Sequence, residues 1–158
     1  MDENRLLSSY LEKEEKELIF EQFSREDAFQ LGCLLHSIKP CAAIEIYING
    51  LSVFRCLPEG IGTNISTWLV RKHNMVRAME MSTMRAKAIR DEKGITQEFQ
   101  LLDPKEYARA GGGFPVRIKG MGIIGAVCVS GLTNGQEEHI YVADGIRKYL
   151  EEYRENSN

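Results

Sequence analysis

Trp68, Arg71 and Lys72 stand at i, i+3 and i+4, the spacing that makes residues neighbours on one helix surface. Such a trio could stack on a flat ligand and pair with its carboxylates. It also reads as an aromatic anchor with a solvated basic edge, or as a subunit contact, because tryptophan and arginine are enriched in interface hot spots. His139 follows Glu137 and Glu138 near the start of the last predicted helix. The positive helix end disfavours its protonation and the two glutamates favour it. Its blander reading is a histidine hydrogen-bonded at a helix start to the Ser130-Gly131 turn. Gly111-Gly112-Gly113 could turn successive backbone amides toward an anion. No Gly-x-x-x-x-Gly-Lys or Gly-x-Gly-x-x-Gly pattern accompanies it, which favours a structural use of the glycines. Ser130 lies in Val-Ser-Gly rather than a Gly-x-Ser-x-Gly elbow. His36 and His73 have no metal-ligand spacing with one another. With no metal triad, paired carboxylates or activated nucleophile recognisable, the residues favour binding or interaction over catalysis.

The elements that must position these groups follow from periodicity. Residues 2–16 predict a helix dense in Glu and Lys whose thin apolar face (Leu6, Leu7, Tyr10, Leu11) must dock on something. Leu18-Ile19-Phe20 reads as a short strand. Ser24-Arg25-Glu26-Asp27 is a capping-box signature for a helix through Ile38, which stops before Pro40. Ile44, Ile46 and Ile48 alternate with Glu45 and Tyr47, and Asn49-Gly50 turns the chain into Leu51-Ser52-Val53-Phe54, a type I′ hairpin signal. Asn64 is the expected cap of a helix burying Ile65, Trp68, Leu69, Val76 and Met79, with Arg71, Lys72, His73 and Arg77 largely elsewhere. Ser82 or Thr83 starts a helix that ends at Gly94, and Asp103-Pro104-Lys105-Glu106 launches a short one that Gly111 ends. Two strands turning at Gly120-Met121 follow, then Asn134-Gly135 leads into a terminal helix through Ile140, Ala143, Ile146 and Leu150. Hairpins without strand–helix–strand alternation predict an α+β fold with helices on an antiparallel sheet, not a parallel dinucleotide-binding sheet.

At 158 residues the chain reads as one domain, 1–158, with residues 1–16 as an acidic helical arm. Residues 1–27 carry nine acidic and four basic side chains, and residues 64–93 carry seven basic and three acidic ones. That asymmetry suits self-association or an anionic ligand, and equally two solvated helix faces. A net charge of −3 argues against nucleic-acid binding, and no apolar run approaches the ~18 residues of a membrane span. Met1-Asp2-Glu3-Asn4-Arg5 is the reverse of a secretory signal, which predicts a cytoplasmic protein. Cys33, Cys41, Cys56 and Cys128 sit in apolar stretches without Cys-x-x-Cys spacing and are expected to be buried reduced thiols.

Phe23-Ser24-Arg25-Glu26-Asp27-Ala28, Leu31-Gly32, Asn64, Trp68, Arg71-Lys72 and Tyr107-Ala108 form an ordered set. It continues through Gly112-Gly113-Phe114-Pro115-Val116, Gly122 with Gly125, Val129-Ser130-Gly131-Leu132 and His139. In these residues the chain resembles the GlcG/HbpS-like, or haem-degrading domain, family over residues 17–150, and most of all its branch of small cytoplasmic proteins. It departs from that branch at Ala110-Gly111-Gly112-Gly113, where a His-Gly-Gly or similar start is usual, so no role of that histidine carries over. The resemblance implies a profilin-like α/β sandwich that assembles into dimers or larger rings and shells. It also implies haem or a related tetrapyrrole as the leading ligand. Under it His139 is a candidate iron ligand, Trp68, Arg71 and Lys72 candidate partners of the ring and its propionates, and Gly112, Gly113, Phe114 and Ser130 complete the candidate site. An oligomeric protein–protein interaction module is the alternative.

Overall fold

Ser24 accepts a hydrogen bond from Asp27 N at 3.1 Å, and the Asp27 carboxylate accepts in return from Ser24 N at 2.7 Å, so the expected capping box closes. It starts the helix Arg25–Ile38, which ends two residues before Pro40 as predicted. The computed structural model describes residues 3–94 and 96–156. Met1, Asp2, Ile95, Ser157 and Asn158, which belong to the expected domain and in part to its arm, lie outside the described residues. In chain order come a 3₁₀ turn (Glu3–Leu6), α1 (Ser8–Glu17), α2 (Arg25–Ile38), β1 (Ala43–Ile48), β2 (Leu51–Cys56), α3 (Thr63–Met79), α4 (Thr83–Lys93), α5 (Gln97–Gln100), β3 (Gly113–Ile118), β4 (Gly122–Ser130) and α6 (Gly135–Asn156).

The four strands form one antiparallel sheet in the order β2-β1-β4-β3. Two hairpins supply it, and β1 and β4, one from each, pair at its centre. Asn49 (φ 50°) and Gly50 (φ 82°) adopt the left-handed conformations of the predicted first turn. Period-two alternation then divides the core. Ile44 and Ile46 of β1 join Phe114, Val116, Val127 and Val129 beneath α2 and α6. Ala43 and Tyr47, with Ala126 and Cys128 of β4, face Leu69 and Val76 of α3. The arm is not free: Leu11 of α1 is buried against Met84 and Ala88 of α4. The α+β sandwich is therefore the fold expected from the two hairpins.

Several local expectations change. Gly62, not Asn64, occupies the N-cap of α3. Asp103–Glu106 forms a turn rather than a helix, and the short helix lies earlier, at α5. Leu18–Phe20 contributes a single parallel bridge, Phe20 to Ile118, in place of a strand. Cys128 is buried, but Cys33 and Cys41 are exposed and Cys56 is partly so. Lys72 and His73, assigned to a polar face, are both buried, because α3 lies flat along the sheet and closes over both.

Candidate functional site

Trp68 and Lys72 are one turn apart on α3 and open onto a cleft of about 240 Å³. Ile65 completes that wall. The opposite wall is the turn from Ser130 to Gly135, and Ala110 and Glu138 close the floor. The turn exists because β4 ends at Ser130 and Gly131 takes a positive φ of 88°. Asn134 then caps α6, its Oδ1 accepting from Glu137 N at 2.9 Å.

Lys72 anchors this cleft. Its Nζ donates to Val129 O at 2.7 Å and to Glu138 Oε1 at 3.1 Å, while Glu138 Oε2 accepts from Leu132 N at 3.1 Å. One buried ion pair thus ties α3, the end of β4, the turn and the first turn of α6 together. Burial pulls the Lys72 ammonium below its ordinary value, and Glu138 opposes that shift. The acidic partner is a residue that sequence reasoning missed. Its signal was a glutamate one helical turn before Val142, on the apolar face of α6. Gly112 permits the arrangement: its φ is 123°, and a Cβ there would stand 2.6 Å from Val129 O and 2.7 Å from Lys72 Nζ.

Trp68 is half-buried, and the Arg71 guanidinium lies 4.0 Å from its ring centroid. Lys72 Nζ is 6.0 Å from the same centroid, so two cations flank one indole. Arg71 donates through Nη2 to Pro104 O, and its own carbonyl accepts from Ala108 N at 3.0 Å, which fastens the 103–108 segment to α3. The predicted neighbourhood of Trp68, Arg71 and Lys72 is therefore present, with Lys72 spent internally and Arg71 beside the ring.

The remaining candidates divide. Ser130 lines the cleft; Gly112, Gly113, Phe114 and His139 do not. Gly113 N donates to Thr83 Oγ1 at 3.0 Å and Gly112 O accepts from Val129 N at 2.9 Å, so these glycines serve close packing and are no open amide nest. Phe114 is a core residue whose ring centroid lies 6.0 Å from that of His139. His139 turns toward α1 rather than the Ser130-Gly131 turn. Its Nε2 donates to Glu14 Oε1 at 2.8 Å, and it is completely buried. Arg147 and Arg5 also reach Glu14 Oε2, at 3.2 and 3.3 Å, and both pair with Asp144. Although burial alone would raise the Glu14 carboxyl, the bonds from His139 and Arg147 and the charge of Arg5 hold it below its usual range. His139 thereby clasps α1 to α6. Among the described residues no group of three His, Cys, Asp or Glu could hold a metal ion, and no helix is long and apolar enough to cross a membrane.

Comparison with known proteins gives this architecture a family. A UPF0303 protein of Brucella melitensis is 36% identical over 154 residues, covering 94% of this chain and 90% of that protein. One from Streptomyces coelicolor is 33% identical over 147 residues, covering 90% and 92%. Among solved structures, the Ybr137w protein superposes with a TM-score of 0.84 at 24% identity, covering 95% of this chain and 94% of that one. HbpS does so with a TM-score of 0.66 at 17% identity, covering 80% and 89%. At those identities the structures speak for the fold alone. A complex of PduOC with heme shares it as well, at a TM-score of 0.62 and 17% identity, covering 79% and 93%. The family model described as "Haem degrading protein HbpS-like" matches residues 23–147, and the chain belongs to that HbpS-like family.

Proposed function

We propose that this protein binds a small planar anionic molecule, a haem-type tetrapyrrole first among them, at the Trp68 cleft of a homo-oligomer. The observation that carries the reading is the half-buried indole flanked by Arg71 and Lys72 at the mouth of a preformed cleft. An aromatic face beside a guanidinium suits a flat ring edged with carboxylates. The family description and the heme complex of a structural neighbour favour a tetrapyrrole.

The residues present fit part of that group. A cleft of about 240 Å³ is below the ~300–1,000 Å³ of pockets that enclose drug-sized ligands, so a macrocycle would rest on Trp68 with one edge inserted. No described lining residue is His, Cys, Met or Tyr, so this cleft addresses a ring and its carboxylates and offers nothing to an iron. Self-association has independent support in β2, an edge strand that carries the exposed Leu51, and in the exposed Phe29 of α2, whose ring centroid lies 6.2 Å from that of Phe54 on β2. The test is haemin titration followed by absorbance, on protein whose mass is set by light scattering. A saturable Soret change at one haem per subunit or per dimer supports the reading. A stable oligomer with only unsaturable uptake overturns the ligand and leaves the alternative, an interaction module.

A further inference from the structure

A second cleft, of about 300 Å³, opens at the other end of α3 from Trp68. Its walls are His73 and Arg77, one helical turn apart, the Asn49-Gly50 turn, and Ile123 to Gly125 of β4. Nothing in the Trp68 reading uses it. The cleft is rigidly framed. Asn49 N donates to Ile124 O at 2.7 Å and so ties the hairpin turn to β4, and the His73 ring stacks on Tyr47 with centroids 3.7 Å apart and planes 4° from parallel.

Two polar groups in this frame lack partners. His73 is 5% exposed, yet its Nε2 is buried without a hydrogen bond among the described residues, an arrangement that ordinarily demands a partner. Arg77 is exposed and makes no ion pair among the described residues, unlike Arg5, Arg55, Arg85, Arg90 and Arg147. Its Nη1 lies over the turn, 3.6 Å from where a Cβ on Gly50 would be, so the glycine leaves room for the guanidinium. Ile123 and Ile124 give the cleft an apolar side. A fixed imidazole, an uncommitted guanidinium and an apolar wall form a receptor for an oxyanion borne on a small organic body.

We propose that the His73–Arg77 cleft is a binding site for a small organic oxyanion, a carboxylate or a phosphate ester, separate from the Trp68 cleft. Arg77 supplies the charge and bidentate donors, and the buried His73 ring, whose Nε2 has no hydrogen-bond partner among the described residues, lines the cleft beside it. The charged and titratable groups that act on that imidazole are Arg77 on α3 and Glu45 on β1, with Tyr47 of β1 stacked on its ring and Cys128 of β4 packed against Tyr47, and β4 lines the cleft with Ile123, Ile124 and Gly125. Burial, and then Arg77, hold His73 below its ordinary value, with Glu45 opposing. A bound anion offsets Arg77, so occupancy raises the pH at which His73 titrates.

The experiment is an NMR titration of the full chain, read at the His73 ring, with inorganic phosphate and acetate as separate probes at constant ionic strength. Saturation by either probe, with an upward move of the His73 titration midpoint and affinity cut about tenfold or more in Arg77→Gln, supports the site. Tighter phosphate assigns a phosphate ester, and tighter acetate a carboxylate. Linear, unsaturable shifts with both probes overturn the proposal, and so does saturation that Arg77→Gln leaves unchanged. Because Arg77 is exposed and makes no ion pair, the substitution leaves the fold intact, which the unchanged amide spectrum verifies.

Discussion

Replacing Glu15 by glutamine should stabilise this protein at pH 8 and do little at pH 4.5. Glu15 lies on α1, 2% exposed, facing Ser82 and Arg85, whose Nη1 is 3.7 Å away. Burial pushes its carboxyl up from 4.5 to about 7, with Arg85, Ser82 and Arg117 only partly opposing. The folded state therefore holds a proton that the unfolded chain has released. Its contribution to stability is fully present below pH 4.5, falls as pH rises toward 7, and then levels off. At ~1.36 kcal/mol per tenfold change in proton affinity, the ionised carboxylate costs the folded state about 3 kcal/mol at pH 8. For a chain of this length that is about 6–12 °C in Tm. Urea unfolding of wild type and Glu15→Gln at both pH values reads the difference directly. Equal gaps between the two proteins at pH 4.5 and pH 8 would refute the reasoning, and so would a variant less stable than wild type at pH 8.

Glu14 works in the opposite sense. Its depressed carboxyl contributes stability that is present above pH 4.5 and lost as pH falls through its folded value, so Glu14→Gln should flatten the acid limb of a denaturation profile. Lys72→Met strands Glu138 in the core and should lose about 3–5 kcal/mol in urea unfolding, most of it regained in Lys72→Met/Glu138→Leu. Gly112→Ala forces a Cβ to within 2.6 Å of Val129 O at a φ of 123°, and a loss of about 1–3 kcal/mol should appear as a lowered Tm.

What the residue order made legible was whatever local chemistry decides. Asn49-Gly50 set the first hairpin, Ser24 with Asp27 set the start of α2, and Ser82 caps α4 by accepting from Arg85 N at 3.1 Å. Those signals act over a few residues, although the equally local caps expected at Asn64 and Asp103-Pro104 were not used. The site was legible only in its first half. Helical spacing placed Trp68, Arg71 and Lys72 together, but pairing Lys72 with Glu138 required knowing that α3 and α6 meet at the end of β4. His139 shows the same limit. Its partner Glu14 is 125 residues away on an arm whose docking face depends on α4, so the imidazole's clasp could not be read from its neighbours. The amphipathic reading of α3 failed at Lys72 and His73 for a related reason: each polar atom is buried beside the backbone or side chains of another element, where periodicity has no view.

Haemin recognition at the Trp68 cleft and recognition at His139 are separated by one comparison. Haemin titrations of Trp68→Ala and His139→Gln should be run beside wild type, glutamine being able to keep the hydrogen bond to Glu14. Recognition at Trp68 gives a saturable Soret change that Trp68→Ala abolishes and His139→Gln leaves in place, at an unchanged oligomeric mass. Loss of the Soret change in His139→Gln with full binding in Trp68→Ala would contradict it.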